Sequence, residues 1–423
     1  MKILIKLSII LLLVILLSFV ILKNYRNITS LVPQKIKDNL PLDIVDIHFT
    51  IEHYINLFSN KDYIYNAKFL PDTHLANHNG DVQLMLNQID ISNIEKLNKI
   101  KVKKFYIDLY KDKVFLFSNN GSIFYFHEND MELVTKKIIP IEIETNLDKY
   151  ENLRLIDSHI KNKNLYISTY EENEGYCDFR ILHSKIDLNK LEFVEIFHNP
   201  GCSVDHIQGG RIQNMKLNDV NGLLFSLAEN KADKPNFKAQ DDNSFLGKII
   251  FLNLQNYDSI IYSKGHRNPQ GLYVKDNLIL STEHGPQGGD EINKIIRGKN
   301  YGWPIASYGK FYNNKNGSFL NNHYINGFEE PIYTYFTAIG ISEIVKIPQS
   351  FFEIKDFTNI FFVSSLRGKS LHLVKFDNNF SRVIFSEKIF IDRKIRDLKF
   401  HKKKNIFILA LQEPSRIGLL AVK

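Results

Sequence analysis

Residues 265–304 read GHRNPQGLYVKDNLILSTEHGPQGGDEINKIIRGKNYGWP. The central run, LYVKDNLILST, has the apolar and β-branched composition of strand structure. Loops dense in Gly, Pro, Asn, His and charged residues flank it on both sides. Loops of this kind commonly carry the functional residues of a folded protein. This part of the chain therefore predicts β-structure that holds a site.

A hydrophobic run followed by a turn recurs six times along the chain. The copies are VFLFSNNGSIFYF from Val114, NLYISTYEENEGY from Asn164, GLLFSLAEN from Gly222, NLILSTEHGP from Asn277, NIFFVSSLRGKSLHLVKF from Asn359 and NIFILALQEPSRIGLLAV from Asn405. Most copies continue into a second run, which is the strand-turn-strand pattern of a propeller blade. Sparse helical periodicity disfavours a solenoid. We predict an all-β, six-bladed β-propeller over residues 96–423, preceded by a stalk and lead-in segment over residues 27–95.

Four motifs in the opening stretch, GHRNPQGL, EHGP, GGDEIN and NYGWP, resemble in order and spacing the signature of the soluble glucose and aldose sugar dehydrogenases. These enzymes are six-bladed propellers that use pyrroloquinoline quinone (PQQ) and calcium. The resemblance implies an oxidoreductase that oxidises an aldose sugar or a related polyol and passes electrons to an external acceptor. The chain contains no C-x-x-C-H motif for haem attachment.

The three carboxylates of PQQ need cations, and the planar fork of arginine pairs carboxylates bidentately. The resemblance implies that Arg267 and Asn268 reach cofactor and substrate, although RNPQG can also be read as a turn that opens a blade. Further cofactor cations come by resemblance from SLRG and RKIRDL: they are Arg367, Lys394 and Arg396. Lys394 stands where the family usually has arginine, so Arg393 is a neighbouring substitute.

Calcium binds oxygen ligands, including backbone carbonyls. In the family, the EHGP turn presents two carbonyls to the metal, which here belong to Gly285 and Pro286. Glu283, Asp290 and Glu291 are nearby carboxylates that also fit a solvated loop or a structural contact.

The proton acceptor is the point at which this chain departs from the family. The family carries a histidine four residues before an arginine, whereas VDHIQGGRI places His206 five residues before Arg211. If a bulge absorbs the extra residue, His206 is the general base and acts with Arg267. Without a bulge, Ile207 fills the position, and His284 is the second candidate.

The family's early glutamine motif is absent, and ENLRLIDSHIKNKNLYIS occupies its place, with Arg154, Asp157 and His159 as candidate replacements. A competing interpretation is therefore a non-catalytic propeller that binds carbohydrate or protein at the cell surface. A third class, metal-dependent lactone hydrolysis on a similar propeller, lacks its expected cluster of side-chain ligands.

An apolar run over residues 7–22 follows Lys2 and Lys6 and precedes Lys23 and Arg26. We interpret residues 1–26 as an uncleaved signal anchor, with a cleaved signal peptide as the alternative. Either predicts a periplasmic or extracellular protein, anchored to the inner membrane or secreted. The anchor supplies four of the seven net positive charges, and the remaining net charge of about +3 argues against a nucleic-acid partner.

The chain has two cysteines, Cys177 and Cys202, both in the part expected to be exported. An oxidising compartment favours a disulfide between them, and two buried free thiols are the alternative.

Overall fold

Short runs rich in apolar and aromatic residues form twenty-six β-strands in the described part of the chain. A computed structural model describes residues 84–91, 104–132, 137–173, 176–201, 209–229, 237–310, 319–320, 322–352, 358–413 and 415–422. The strands are β1 (Leu84–Ile91), β2 (Phe105–Tyr110), β3 (Lys113–Ser118), β4 (Ile123–His127), β5 (Lys137–Ile138), β6 (Ile141–Thr145), β7 (Leu153–Lys161), β8 (Asn164–Asn173), β9 (Tyr176–Lys185), β10 (Lys190–Leu191), β11 (Val194–Pro200), β12 (Gly209–Leu217), β13 (Val220–Leu227), β14 (Lys248–Asn253), β15 (Ser259–Lys264), β16 (Pro269–Lys275), β17 (Leu278–Glu283), β18 (Asp290–Lys294), β19 (Tyr333–Tyr335), β20 (Ile341–Lys346), β21 (Ile360–Ser365), β22 (Ser370–Phe376), β23 (Val383–Phe390), β24 (Lys394–His401), β25 (Ile406–Gln412) and β26 (Arg416–Val422). Short helices are the α-helix α1 (Gln349–Phe352) and the 3-10 turns Glu128–Glu132, Leu147–Lys149 and Tyr324–Asn326.

The strands of the described residues form six sheets, each the blade of a propeller, and the strands of each sheet pair antiparallel except for the parallel pairs β1–β5 and β6–β10. Blades one to six begin with the innermost strands β2, β7, β12, β16, β20 and β24, respectively. The third to fifth blades continue outward through the next three strands of the chain, and blade two continues through β8, β9 and β11, whereas the outer edge of blade one is β10 and that of blade six is β1 followed by β5. The first strand of each blade packs against the first strand of the next, and β24 packs against β2. These six strands therefore surround a central channel, and the prediction of an all-β, six-bladed propeller is confirmed.

Apolar side chains fill the space between neighbouring blades. One buried cluster lies at each of the six junctions, for example Phe361 and Val363 of blade five against Leu280 and Ile292 of blade four. A sheet that is apolar on both faces must be covered on both faces, and closing the ring covers every blade without leaving an open end.

The six repeated runs of the sequence correspond to the second strand of each blade: β3, β8, β13, β17, β21 and β25. The sixth blade is completed by β1, which pairs antiparallel with β26 from Leu84↔Val422 to Asp90↔Arg416. β1 lies within residues 27–95, the segment assigned from sequence to a stalk and lead-in strand. The two ends of the described chain thus close the ring by sharing one sheet.

The expected anchor over residues 1–26 lies outside the described residues. Within the described ranges, no helix has the length and apolar character needed to cross a membrane.

Candidate active site

The innermost strands carry a repeated irregularity. Five of these six strands, β7, β12, β16, β20 and β24, contain a register shift near their first residues. A bulge places an extra residue on one strand and turns the following side chains toward a new direction. The residues at and beside these shifts are polar and buried: Asp157, Arg211, Gln270, Glu343, Arg396 and Asp397. The bulges thus bring charged side chains of distant segments to one level of the propeller.

Arg211 of blade three contacts residues of four other blades beside these register shifts. Its Nη1 lies 3.0 Å from Asp157 Oδ1 and 3.0 Å from Glu343 Oε2. Its Nε donates to the carbonyl of Gln270 at 2.5 Å, and its Nη2 donates to the carbonyl of Arg396 at 2.9 Å. The two carboxylates hold the pKa of Arg211 above its ordinary value despite burial. Arg211 is therefore a structural cation that ties the inner strands together.

Two carboxylates of the inner strands have raised pKa values. Burial raises the pKa of Glu343 to about 7, with Arg211 and Lys399 opposing the shift. Burial likewise raises the pKa of Asp108, on β2, to about 7. Asp397 receives the backbone N–H of Ile107 at 2.9 Å and so links blade six to blade one. The channel below the site is therefore a buried ionic network in which burial shifts the pKa of Glu343 and of Asp108 toward neutral pH.

A line of side chains leads from this network to the loops of blade four. Arg396 Nη1 donates to Gln270 Oε1 at 3.2 Å, and Gln270 Nε2 donates to Asn268 Oδ1 at 2.9 Å. The carbonyl of Asn268 accepts the backbone N–H of His284 at 3.0 Å. Residues predicted separately from GHRNPQGL, EHGP and RKIRDL therefore meet in one place.

Arg267 is buried against the EHGP turn. Its Nη1 donates to the carbonyls of His284 at 2.9 Å and Gly285 at 2.7 Å. Its guanidinium carbon lies 5.3 Å from the centre of the Trp303 ring, which is a cation–π distance. Both GHRNPQGL and NYGWP therefore hold this cation beside the turn predicted to bind a metal.

Glu283 organises the backbone that carries Arg267. Its Oε1 lies 2.6 Å from His266 Nδ1, and its Oε2 accepts the backbone N–H of Arg267 at 3.2 Å. His266 is fully buried, stacks on Tyr301 and contacts Ser263 Oγ through its other ring nitrogen at 2.8 Å. Glu283 and His266 thus position Arg267. These contacts support the interpretation of Glu283 as a residue with a structural contact.

The turn after β17 requires glycine. A Cβ on Gly285 would lie 2.1 Å from the carbonyl oxygen of Gly288, which no side chain can tolerate. Asp290 fixes this turn, since its Oδ1 accepts the N–H of Gly285 and its Oδ2 accepts the N–H of Ile341, both at 3.0 Å. Asp290 is therefore a positioning residue that joins the turn to blade five.

His284 is a neutral imidazole in this setting. Its Nε2 lies 2.5 Å from the carbonyl of Ile341, which can only accept, so Nε2 carries the proton and Nδ1 holds the lone pair. Burial lowers its pKa, Asp290 opposes that shift and Arg267 adds to it. Such a nitrogen can accept a proton at neutral pH.

A small cavity opens beside Arg267. Its wall includes Arg267, Glu283, His284, Gly285, Glu291 and Trp303. Burial raises the pKa of Glu291 well above its ordinary value, and the charge of Glu283 adds to the shift. In the described part of the chain, no cluster of three or more His, Cys, Asp or Glu side chains is arranged to hold a metal ion.

Other residues predicted from sequence lie outside the series of contacts that joins Arg396 to the EHGP turn. Arg367 is exposed in the loop between β21 and β22, and Lys394 forms an ion pair with Glu413 at 2.7 Å. Arg393 turns to its neighbour Asp392, with Nη1 at 3.2 Å from Oδ2. Pro286 is buried in the turn, whereas His206 lies outside the described residues.

The residues proposed for the missing glutamine motif have different surroundings. Arg154 is exposed and pairs with Glu172 at 2.7 Å, while Asp157 belongs to the Arg211 network. Burial lowers the pKa of His159 to about 3, so its ring stays neutral. Arg154 and Asp157 are therefore already paired with charged residues of the protein itself.

Sequence reasoning missed three acidic groups of the inner strands, the partly buried Asp108 and the buried Glu343 and Asp397. The sequence offered only a weak signal, a charged residue near the start of an apolar run. The register shifts beside Glu343 and Asp397 leave no mark in the one-dimensional pattern.

Comparison with known proteins identifies similar sequences. A profile described as Glucose / Sorbosone dehydrogenase matches residues 111–419. The aldose sugar dehydrogenase YliI of Escherichia coli K12 is 29% identical over 248 residues, which cover 53% of this chain and 62% of that protein. Quinoprotein glucose dehydrogenase B of Acinetobacter calcoaceticus is 36% identical over 99 residues, which cover 20% of this chain and 21% of that protein.

Solved structures share the fold. The apo form of soluble aldose sugar dehydrogenase from Escherichia coli superposes with a TM-score of 0.62 at 20% identity and covers 81% of this chain and 100% of its own. The PQQ-bound aldose sugar dehydrogenase of Streptomyces coelicolor has a TM-score of 0.55 at 16% identity, covering 81% of this chain and 99% of its own.

Proposed function

The chain belongs to the glucose/sorbosone dehydrogenase family, and from this premise we propose that it is an exported quinoprotein oxidoreductase. Its substrate is an aldose sugar or a related polyol, and its cofactors are PQQ and calcium. The relatives named above are an aldose sugar dehydrogenase and a quinoprotein glucose dehydrogenase, and one of the similar solved structures contains bound PQQ.

One observation carries the proposal: the buried line of contacts from Arg396 through Gln270 and Asn268 to the turn that holds Arg267. Two arginines are placed at the same end of a channel, and both belong to motifs of the family. Burial of a charge is costly, and a cofactor that carries carboxylates gives a functional reason to place two arginines here.

The surroundings of Arg396 fit an anionic cofactor. Its side chain is buried, and its Nε has no acceptor among the described residues. Burial lowers its pKa, which means that the described charges do not fully compensate the guanidinium. A carboxylate of PQQ would supply both the acceptor and the missing charge. Arg267, Asn268, Arg367 and Lys394 are the other residues proposed to hold the cofactor.

The EHGP turn fits calcium in kind. Gly285 and Pro286 carry backbone carbonyl oxygens, the kind of ligand that a hard cation takes, and the carbonyl of Gly285 would have to exchange its bond from Arg267 Nη1 for the metal. Two carbonyls are fewer than the six to eight oxygens that calcium takes, so cofactor and water oxygens would complete the shell. Asp290 keeps the Gly285 end of the turn in place.

When bound, PQQ accepts a hydride and calcium polarises its reactive carbonyl. We propose that His206 takes the proton of the sugar hydroxyl and that Arg267 orients the reacting group. His284, whose Nδ1 bears the lone pair, is the alternative proton acceptor.

We further propose that residues 7–22 anchor the protein to the inner membrane, with the propeller on the periplasmic or extracellular side. Cleavage of the segment would give a secreted form. An external acceptor then takes the electrons from the reduced cofactor.

Titration of the purified protein with PQQ and Ca²⁺ tests the proposal. We expect calcium-dependent cofactor absorbance and reduction of a dye on addition of glucose or another aldose. Arg396→Gln should weaken PQQ binding by about 2 kcal/mol, as expected when a carboxylate loses a charged donor. Arg382→Gln is the matched control, because Arg382 is exposed and contacts Asp377 instead, and it should bind PQQ like the parent.

No PQQ binding by the parent protein in the presence of calcium would contradict the quinoprotein assignment. Sugar binding without dye reduction would then support the competing function, a non-catalytic propeller that binds carbohydrate.

A further inference from the structure

Gln270 lies between the two arginine-bearing parts of the candidate site. It falls within the register shift of β16, between Pro269 and Gly271, and the ladder with β17 passes over it. A residue in such a bulge leaves the regular alternation of the strand, so its side chain can take a new direction. Its carbonyl accepts the Nε–H of Arg211 at 2.5 Å, which fixes its backbone as well. Gln270 is 3% exposed, so its amide group needs partners inside the protein.

Arg396 fixes which end of the Gln270 amide points in which direction. A guanidinium group has only donors, so the atom of Gln270 that receives Arg396 Nη1 at 3.2 Å must be the oxygen, Oε1. The nitrogen of the same amide, Nε2, therefore faces Asn268, and it donates to Asn268 Oδ1 at 2.9 Å. An amide nitrogen also has only donors, so the atom of Asn268 that receives it must be the oxygen. One arginine thus sets the orientation of both amides.

The nitrogen of Asn268 is left as an available donor. With Oδ1 occupied by Gln270, its Nδ2 makes no hydrogen bond in the part of the chain that the structure describes. At the other end of Gln270, the buried Nε of Arg396 has no acceptor among the described residues. Gln270 is therefore flanked by two donors, and both can take an acceptor from a ligand.

We infer that Gln270 is a positioning residue for the cofactor site. By accepting from Arg396 and donating to Asn268, it makes Asn268 present a donor to the ligand. An oxygen of PQQ can accept from this nitrogen, and a carboxylate of PQQ can accept from Arg396. The inference rests on the proposed function, in which Asn268 and Arg396 hold the cofactor, and it assigns the residue that orients one by means of the other.

Gln270→Glu in the full chain tests this orientation at nearly constant side-chain volume. The introduced carboxylate accepts from Arg396 but cannot donate to Asn268, so the Asn268 amide should turn over and donate to it instead. The oxygen of Asn268 then faces the cofactor, and PQQ binding should weaken about tenfold or more, the equivalent of one hydrogen bond to a charged group. Gln255→Glu, in the exposed turn between β14 and β15, is the matched control and should bind PQQ like the parent.

The introduced carboxylate also pairs with Arg396, and a double-mutant cycle separates this effect. Asn268→Leu keeps the size of the side chain and removes its amide, so no group remains that can turn over. The loss of PQQ affinity caused by Gln270→Glu should be at least about threefold smaller in Asn268→Leu than in the parent. Gln270→Met removes both hydrogen bonds without adding a charge and should lower the affinity less than Gln270→Glu. Urea titration of each variant checks that it is folded.

A second readout needs no cofactor. Amide hydrogens exchange slowly with solvent when they are hydrogen-bonded and quickly when they are free. Isotope-edited NMR of protein with labelled asparagine follows the side-chain amide of Asn268, whose signal is the one that Asn268→Leu lacks. Its exchange should be slower in Gln270→Glu than in the parent, because the carboxylate then accepts from Nδ2.

The outcomes separate this inference from the proposed function. An equal loss of PQQ affinity in both backgrounds would overturn the inference, because Gln270 would then act through Arg396 alone. An unchanged exchange rate of the Asn268 amide in Gln270→Glu would overturn it as well. A parent protein that binds no PQQ defeats the proposed function, and the exchange measurement then decides by itself whether Gln270 orients Asn268.

Discussion

Arg267 illustrates how one residue of the site is fixed by three kinds of contact. Its backbone N–H is held by Glu283, its Nη1 by the carbonyls of the EHGP turn, and its guanidinium face by Trp303. The first two contacts come from the EHGP motif and the third from NYGWP. A side chain held from several directions loses little further entropy when a ligand arrives, which favours binding.

Two histidines compete for the role of proton acceptor. His284 is placed by its bond to Ile341 and stays neutral because of burial. His206 precedes the bulge of β12, where Gly209 pairs with Leu227 and Ile212 with Phe225. The same kind of bulge occurs in strands without an extra residue upstream, so it does not by itself account for the shifted spacing. Turnover of the two alanine variants distinguishes which histidine is the proton acceptor.

We predict that His206→Ala retains PQQ binding and loses roughly two to four orders of magnitude in turnover, the usual contribution of general-base catalysis. Turnover should be measured by dye reduction at saturating PQQ, calcium and sugar. His284→Ala serves as the comparison and should lose less if His206 is the base. Full activity in the His206 variant, together with loss in the His284 variant, would reverse the assignment.

At the scale of single elements, β1 is the strand that closes the ring. Ile89 of β1 is 3% exposed and packs in the cluster between blades six and one, whereas Met85 of the same strand is 43% exposed. Ile89→Ala should lower the free energy of unfolding by about 2 to 5 kcal/mol, because it leaves a cavity in a packed cluster. Met85→Ala should change it by less than about 0.5 kcal/mol. Denaturant titration of both variants checks this, and equal losses would argue against a structural role of β1.

The proposed disulfide depends on the pairing of β9 with β11. Cys177 is buried on β9, and Pro200, at the end of β11, pairs with Asp178. The chain continues from there to Cys202, which lies outside the described residues. We expect no reactive thiol in the unreduced, denatured protein, and a bond that stabilises by about 3 kcal/mol for a loop of this length. Labelling of two thiols would exclude the bond.

The sequence predicted the blades better than the site, and the reason lies in the range of the interactions. The second strand of a blade can be predicted from the turn residue that precedes it. Asn359 and Asn405 precede two of these strands and adopt φ of 57° and 52°, a conformation that asparagine tolerates. Arg267 and Gly285 were recognised from contiguous motifs. Glu343 and Asp397 could not be recognised, because their partner Arg211 is remote in the chain and the bulges that turn them inward are tertiary features.

At the scale of the whole molecule, the channel holds an ionic network shared by several blades. Arg211 of blade three contacts Asp157 of blade two and Glu343 of blade five, and Lys399 of blade six lies 3.6 Å from Asp397. Buried ion pairs contribute little net stability, because desolvation offsets much of their attraction. These pairs instead make the stability of the closed ring depend on the pH of the solution.

Glu343 gives this linkage a definite sign. Its pKa is about 7 in the folded protein and about 4.5 in the unfolded chain. The raised value means that its contribution to stability is complete below about pH 4.5 and is lost as the pH rises through 7. Between pH 5 and pH 8 this loss is on the order of 2 kcal/mol. The other charges that face Glu343 are Arg211 and Lys399, which favour its ionised form, and Asp397 and Asp157, which oppose it.

We therefore predict that Glu343→Gln flattens the fall in the free energy of unfolding between pH 5 and pH 8, relative to the parent protein. Urea titrations at both pH values measure this difference. Comparing the same two pH values in each protein cancels the opposite trend of the buried neutral histidines, such as His372, whose pKa is lowered to about 4 by burial. Glu387→Gln, on the exposed outer strand of the same blade, is the matched control and should retain the parent's pH dependence. An identical pH dependence in the parent and in Glu343→Gln would show that Glu343 is already ionised in the folded channel, and that Arg211 and Lys399 outweigh its desolvation.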